Sequence, residues 1–588
     1  MRLGQAHRRL TAGFAVVSAL LVVIAGQLVR LQGFDRAGNA QKAAAQRVES
    51  EPLQALRGQI VDRFGVPLAY TANVQDITAD PTMIPPDQRA DYAAQLSVLL
   101  GVPAADLVRA LASPGKGVVL ARAVSPTVVT GVHQLGLIGV FTQTTTSREY
   151  PAQSTGGNII GAVRSDGVGA SGIEYAFNDV LAGTNGELTY AVDATGEANP
   201  SGLTTRVNAI NGGTVALTID EDLQYTVQQY LDSAVAESGA KDGQVAVLDA
   251  RTGQVLALAS SGCANPADPA SAPADAPLNP AVQTVFEPGS VNKVVTFAAA
   301  LDKGVITPQT RLVVPGDLAM GGVIVHDDWA HQPVTYTATG VLAQSSNVGT
   351  LLIAQQLGSK SWYDYERKFG VGAVTGVELP GESAGIFPSM SQWSDSSFAN
   401  LPIGQGVAVT VLQLASMYQT IANDGVRVPP RVIKSITRSY GATTVTAQPS
   451  GVRVVSAKTA KTVRTMLESV TLDGGTGVRA AVPGYRIAGK TGTAQQPVSS
   501  GGQYSSSANW DTFAGIAPAD DPRFVVAVMI DNPAHGLHGG DVAAPLFQEI
   551  AGYELRHAAV APTGSTSKHV PLMVCSEQVV ATYGRSVC

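Results

Sequence analysis

Between Leu10 and Val29 the chain carries no charged residue. In helical form such a run is roughly 30 Å long, about the thickness of a bilayer's hydrocarbon core, so it is expected to cross a membrane once. The flanks set its direction. Met1 to Arg9 holds Arg2, Arg8 and Arg9 and no acid. The positive-inside rule keeps that end cytoplasmic and sends everything after Arg30 across. A cleavable signal peptide, with Val23-Ile-Ala25 as the processing site, is the competing reading. The apolar run continues through Leu28, Val29 and Leu31 beyond that site, which favours a retained anchor. The bulk of the protein is therefore expected in an extracytoplasmic, oxidising space, held at the cell membrane by a single helix.

A chain of 588 residues is too long for one core, so two or more domains are expected. Charged residues make up 14% and the formal charge is −7 with no basic patch, which argues against nucleic acid as a partner. Cys263, Cys575 and Cys588 are too few for a disulfide framework and lack metal-ligand spacing. The last two are close enough in sequence to close a small loop, which would leave Cys263 a lone thiol.

Composition divides the chain into a cytoplasmic tail (1–9), the anchor (10–29), an Ala-rich connector read as polar and helix-compatible (30–50), a first globular region (51–211), a second (212–558) and a tail (559–588). The first region shows short β-rich pieces separated by turn residues, as at Gly58 to Gly65, and helical stretches between Pro86 and Leu111. Val215 to Asp220 reads as a strand entering an amphipathic helix with Leu223, Val227, Tyr230 and Leu231 on one stripe. Gln244–Asp249 and Val255–Ala259 form a hairpin about Arg251-Thr-Gly253. Gly262 to Ala281 reads as a loop. Ala-rich helical segments are expected to fill much of Val291–Leu357 and Thr410–Asn423. Strands at Arg486–Gln495, Thr512–Ala517 and Phe524–Ile530 and a helix at Val542–Arg556 close the region. There are no internal repeats.

Three short motifs follow one another in this second region: Ser290-Val-Asn-Lys293, Ser345-Ser-Asn347 and Lys490-Thr-Gly-Thr493. Each is weak alone, since a capping serine, a polar turn and an edge strand would explain them one by one. Glu287-Pro-Gly-Ser290 places a serine where a loop becomes a helix. Unpaired N–H groups there favour negative charge, so the Ser290 N–H suits an oxyanion. The i to i+3 spacing puts Lys293 on the same helix face. It serves as a base only if burial or a nearby cation favours its neutral form. Ser345 is the candidate proton relay and Asn347 the bridge between Lys293 and a substrate backbone. Gly492 within a strand permits another backbone to approach closely. Lys490, with the hydroxyls of Thr491 and Thr493, suits a carboxylate, and the Thr493 N–H is the second oxyanion donor.

Taken together and in this order, the motifs are those of penicillin-recognising serine acyl-transferases. The chain resembles a class B penicillin-binding protein well beyond them. Arg57-Gly-Gln-Ile-Val-Asp-Arg63 with Gly65 and Leu68-Ala69 resembles the first pedestal motif of that class. Arg148-Glu-Tyr-Pro151 and Gly172-Ile-Glu174 resemble later ones, and Ile403-Gly-Gln-Gly406 a loop of the transpeptidase domain. The arrangement looks most like the septal, cell-division branch, with the elongation branch as the alternative. The resemblance implies an α/β (α+β) transpeptidase fold: a five-stranded antiparallel sheet with helices on both faces, behind a β-rich pedestal and one transmembrane helix. It implies a D,D-transpeptidase that cross-links peptidoglycan stem peptides through an acyl-enzyme on Ser290 and is acylated by β-lactams, without a cofactor. It also implies partners in the envelope, notably a SEDS-type membrane glycosyltransferase and other division proteins.

Departures and rivals sharpen this expectation. Phe64 stands where the family often has Asn, which is expected to change packing and leave the chemistry intact. No E-x-x-L-N segment lies between Ser345 and Lys490, so the deacylating glutamate of a class A β-lactamase is missing. The pedestal occupies the space that a glycosyltransferase domain would need, which implies a monofunctional enzyme. A β-lactam sensor is disfavoured by the short segment before the anchor, and a division scaffold without turnover remains as the non-enzymatic rival. His326-Asp-Asp-Trp-Ala-His331 gathers His326, Asp327, Asp328 and His331 as weak metal-ligand candidates. A polar loop near the cleft mouth is the favoured reading, and no metal is expected.

Overall fold

The computed structural model describes residues 3–30, 48–192, 204–269, 279–498, 503–534, 536–567, 570–574, 582, 584 and 587. These fall into two compact units, one made of Met1–Leu56 with Gly183–Gly212 and the other of Arg57–Ala182 with Gly213–Cys588.

The smaller unit begins with helix α1 (Leu3–Val29). Its stretch His7–Val29 has a mean hydropathy of 2.3, and none of it is covered by protein. An apolar helix left bare on all sides is suited to lipid. Most of the connector at 30–50 lies outside the described residues, and its last three residues already belong to a strand. That strand, Val48–Leu53, pairs antiparallel with Gly186–Ala191, which pairs with Thr204–Val207.

In the larger unit, residues 57–182 form helices and strands around a sheet whose order runs Thr443–Val445, Ile433–Thr437, Thr214–Leu217, Ile60–Val61, Pro67–Ala79, Val118–Val124, with Val140–Glu149 also on Pro67–Ala79. Ile60–Val61 runs parallel to Thr214–Leu217, which is antiparallel to Ile433–Thr437. One sheet therefore ties the pedestal motifs to residues far along the chain. The motifs themselves meet at Glu174, whose side chain has no exposed surface: its Oε2 accepts from Arg57 Nε at 2.6 Å and its Oε1 from Arg148 Nε at 2.7 Å. Arg148 Nη1 also donates to Gly58 O (2.6 Å), and Arg57 Nη1 to Asn178 Oδ1 (2.9 Å). Buried charge persists only with such partners. Phe64, by contrast, is exposed, with the Arg63 guanidinium 5.6 Å from its ring centroid.

The part that carries the three motifs is built on five antiparallel strands, β1 (Asp242–Asp249), β2 (Val255–Ser260), β3 (Ala488–Pro497), β4 (Tyr504–Ala517) and β5 (Phe524–Asp531), in the order β2-β1-β5-β4-β3. β2, β5 and the second half of β4 are buried on both faces and mainly apolar, so alternate residues feed two cores. Val245, Val247, Phe513 and Val526 pack with α2 (Glu221–Ser238) through Leu223, Val227 and Leu231, and with the C-terminal helix Ala543–His557 through Phe547 and Ile550. Ala246, Leu248 and Ala514 face the other way, toward α3 (Lys293–Asp302), α4 (Asn347–Leu357), α5 (Val411–Ala422) and α6 (Ala457–Glu468).

The span from Val291 to Leu357 is less helical than its alanine content suggests. Four short strands interrupt it, Arg311–Val314 pairing with Val334–Thr337 and Asp317–Met320 with Val323–His326. β-Branched residues and a Gly321-Gly322 turn, both at positive φ (59° and 79°), outweigh helix propensity there. Strand β4 also starts eight residues earlier than expected, at Tyr504.

Replacing Phe513 should expose how far the sheet depends on its second core. The ring is fully buried, with its centroid 4.7 Å from that of Phe547. Phe513→Ala is expected to cost about 3–5 kcal/mol, read as a lowered denaturation midpoint of the protein.

Candidate active site

Backbone contacts that only glycine tolerates shape the turn before Ser290. Gly289 adopts φ +61°, and its N–H donates to Gly404 O at 3.0 Å. A Cβ on Gly289 would lie 3.0 Å from Thr493 O, and one on Gly404 would lie 2.0 Å from Gly289 O. The Ile403–Gly406 loop and the third motif thus clasp the serine turn from two sides. The chain then forms a 3-10 turn, Gly289–Asn292, that runs directly into α3. Ser290 is half-buried, whereas Val291, Asn292 and Lys293 are fully enclosed.

Lys293 joins the first motif to the second. Its Nζ donates to Ser345 O at 2.5 Å and Asn347 Oδ1 at 2.7 Å, and lies 3.5 Å from Ser345 Oγ. Burial pushes the ammonium down to about 8, against the upward pull of Asp328 and Asp327. Ser345 holds φ +61°, a left-handed conformation that costs a side-chain-bearing residue roughly 1–3 kcal/mol. The cost is accepted because that conformation aims both its carbonyl and its hydroxyl at Lys293. Behind the serine turn, Asn292 Nδ2 donates to Glu366 Oε1 at 2.9 Å. Glu366 is completely buried, and loss of water holds its carboxyl well above the usual carboxylate range.

The third motif lies on β3, the edge strand beside the serine turn. Lys490 is fully buried. Its Nζ donates to Thr491 O at 2.9 Å and lies 3.3 Å from Thr491 Oγ1. Burial, with the charge of Lys293 adding to it, holds Lys490 well below the normal lysine range. Thr491 Oγ1 lies 2.6 Å from Thr476 Oγ1. The close approach that Gly492 permits is to the chain itself: a Cβ there would sit 2.3 Å from Thr512 Oγ1 and 2.8 Å from Pro288 O. Thr493 Oγ1 donates to Asp511 Oδ1 (2.7 Å) and accepts from Gly539 N (3.2 Å), so its hydroxyl is held by protein. Asp511 is itself buried, and desolvation lifts it to about 6 against the pull of Thr493 and His538. Ser290, Lys293, Ser345, Asn347 and Lys490 to Thr493 are thus gathered in one place.

The His326–His331 segment does not form a metal tetrad. His326 Nδ1 faces Asp317 Oδ1 at 2.7 Å, while His331 Nε2 faces Asp327 Oδ2 at 3.1 Å. Among the described residues Asp220, Asp222 and His557 are the one group whose ligand atoms converge, and there Asp220 already caps α2 at Leu223 N. Beside the second motif lies a cavity of about 550 Å³ lined by Trp329, His331, Tyr336, Gln344, Leu572 and Met573. Glu366 and Asp511 were not singled out in sequence: the one sits among the charges of an amphipathic helix, the other inside an apolar strand. Cys263 is a free thiol whose Sγ donates to Ser260 O. The pairing expected of Cys575 and Cys588 lies outside the described residues.

Comparison with known proteins agrees with this arrangement. Residues 243–552 match the penicillin binding protein transpeptidase domain, and residues 52–217 the penicillin-binding protein dimerisation domain. The chain is 44% identical to the penicillin-binding protein PbpB of Mycolicibacterium smegmatis, over 93% of this chain and 90% of that protein. It is 36% identical to the peptidoglycan D,D-transpeptidase FtsI of Escherichia coli, over 88% and 86%. The crystal structure of penicillin binding protein 3 from Mycobacterium tuberculosis, complexed with aztreonam, superposes with a TM-score of 0.70 and 40% identity, covering 89% of this chain and all of that one.

The raised pKa of Glu366 makes a signed prediction. A carboxyl whose folded pKa is raised costs the fold more stability as pH climbs from its unfolded value toward the folded one. Glu366→Gln keeps an acceptor for Asn292 and removes that cost. Its melting temperature should exceed wild type at pH 8 by more than at pH 5.

Proposed function

The chain belongs to the penicillin-binding protein transpeptidase family, and on that premise we propose that it is a class B, serine-type peptidoglycan D,D-transpeptidase of the septal branch. The observation that carries the reading is the buried Lys293, bonded to Ser345 and Asn347 and one turn from Ser290. In the proposed reaction Ser290 Oγ attacks the penultimate D-alanine carbonyl of a stem peptide and passes its proton to neutral Lys293. The N–H groups of Ser290 and Thr493 receive the oxyanion. Collapse breaks the peptide bond, and terminal D-alanine leaves with a proton relayed from Lys293 through Ser345. An amine from a neighbouring stem attacks the ester, gives up its proton along the same route and restores Ser290. β-Lactams acylate the same oxygen.

Lys490 and Thr491 hold the donor's terminal carboxylate, and β3 offers its edge to the peptide as an added strand. Thr493 contributes chiefly its N–H, since its hydroxyl is given to Asp511. The matches at 52–217 and 243–552 support the division into a pedestal (51–211) and a transpeptidase domain (212–558) without a glycosyltransferase domain. The septal assignment rests on the arrangement of the Arg57–Gly65 motif after a short anchor. A SEDS-type glycosyltransferase and other division proteins are the proposed partners, and one membrane crossing through α1 the proposed topology.

Two measurements test this. Full-length protein should be acylated by a fluorescent penicillin, and Ser290→Ala should abolish the label. A depleted strain rescued by Ser290→Ala would leave the protein as a scaffold and end the enzymatic reading. The acylation rate should rise with pH through an apparent value near 8 as Lys293 loses its proton. A profile flat from pH 7 to 9 would remove Lys293 as the base.

A further inference from the structure

Asp327 lies outside the three motifs, yet its side chain has no exposed surface and meets Ser346 of the second motif, Val348 just after it, and His331. Its Oδ1 accepts from Val348 N at 2.9 Å, and its Oδ2 from Ser346 Oγ at 2.7 Å. These are the residues on either side of Asn347. Ser346 Oγ in turn accepts from Gly349 N at 2.9 Å, closing the first turn of α4. Asn347 is thereby held by its two neighbours, while its own Nδ2 donates to His326 O at 3.1 Å and its Oδ1 accepts from Lys293.

The carboxylate has one more partner. His331 Nε2 faces Asp327 Oδ2 at 3.1 Å, and the Nδ1 of the same ring faces Gln332 O at 2.8 Å. Both ring nitrogens meet oxygens, which fixes the imidazole between the Asp327 carboxylate and the backbone of Gln332. The His331 side chain is 7% exposed, so the contact between the two side chains lies almost out of water. A buried carboxylate persists where polar partners replace its water, and Val348 N, Ser346 Oγ and His331 Nε2 do so here.

We propose that Asp327 and His331 form a positioning pair that sets the Ser345–Asn347 turn against Lys293 for proton transfer. The proposal rests on the transpeptidase reading above and adds two residues to it, neither of which touches the reacting atoms. Asp327 has a second, electrostatic effect: burial disfavours the charged form of Lys293, and Asp328 and Asp327 oppose that without outweighing it, while the charge of Lys293 in turn helps to hold Lys490 down. Positioning and electrostatics therefore leave different marks on a pH profile.

The test measures acylation of the full-length protein in detergent by a fluorescent penicillin across pH 6–10. Asp327→Asn should lower the high-pH plateau by roughly tenfold or more, on the scale of a lost charge-assisted hydrogen bond, and move the rising limb to lower pH. His331→Gln removes one of the three contacts that hold the carboxylate, so it should lower the plateau, but by less than Asp327→Asn does. Asp328 is exposed, and Asp328→Asn should move the limb down with the plateau intact. If Asp327→Asn merely copies Asp328→Asn, or matches wild type, the positioning role is wrong. Should Asp327→Asn melt below the assay temperature, Ser346→Ala removes one of the bonds alone, and an unchanged plateau in that variant overturns the proposal. Ser290→Ala run alongside separates the readings: label that survives it defeats the transpeptidase assignment, whereas its loss leaves the Asp327 result to be judged alone.

Discussion

Lys293 has no exposed surface, and a buried ammonium persists only where acceptors replace its water. That requirement organises the catalytic region. The acceptors are Ser345 O and Asn347 Oδ1, so the second motif must fold back onto α3. Ser345 meets the demand with a left-handed backbone, and Asp327 fixes the residues flanking Asn347. Desolvation also brings the ammonium to about 8, which makes the neutral form available without a second base.

The third motif is bound to the first by sterics. Gly289, Gly404 and Gly492 each stand where a Cβ would strike another backbone or a hydroxyl. These contacts press the edge strand β3 against the serine turn, so the sheet transmits its rigidity to the nucleophile. In the pedestal part the same logic recurs with different chemistry, where Glu174 draws Arg57 and Arg148 together although more than ninety residues separate them in sequence.

Much of this was legible beforehand. The β1–β2 hairpin, the α2 stripe of Leu223, Val227 and Leu231 and the closing helix follow from periodicity and turn chemistry, which are local. The two small hairpins between Arg311 and Thr337 were hidden, because alanine-rich flanks outweighed short β-branched runs. In sequence the His326–His331 segment reads as a polar loop with weak ligand candidates. His and Asp spacing alone does not say whether a carboxylate points at a metal or at a helix N-terminus. Glu366 and Asp511 gave no signal, since burial is a property of the packed molecule.

Sequence by itself determined the anchor, the order of the three motifs and the residue types that nucleophilic acyl chemistry requires. These depend on charge, length and spacing, which a linear chain already contains. Only the tertiary structure decided which carboxyl groups lose their water, which hydroxyls are already occupied and which face Lys293 meets. Those properties arise from segments brought together across tens to hundreds of residues. The Thr493 hydroxyl shows the difference: its motif offers it to a substrate carboxylate, and the fold gives it to Asp511.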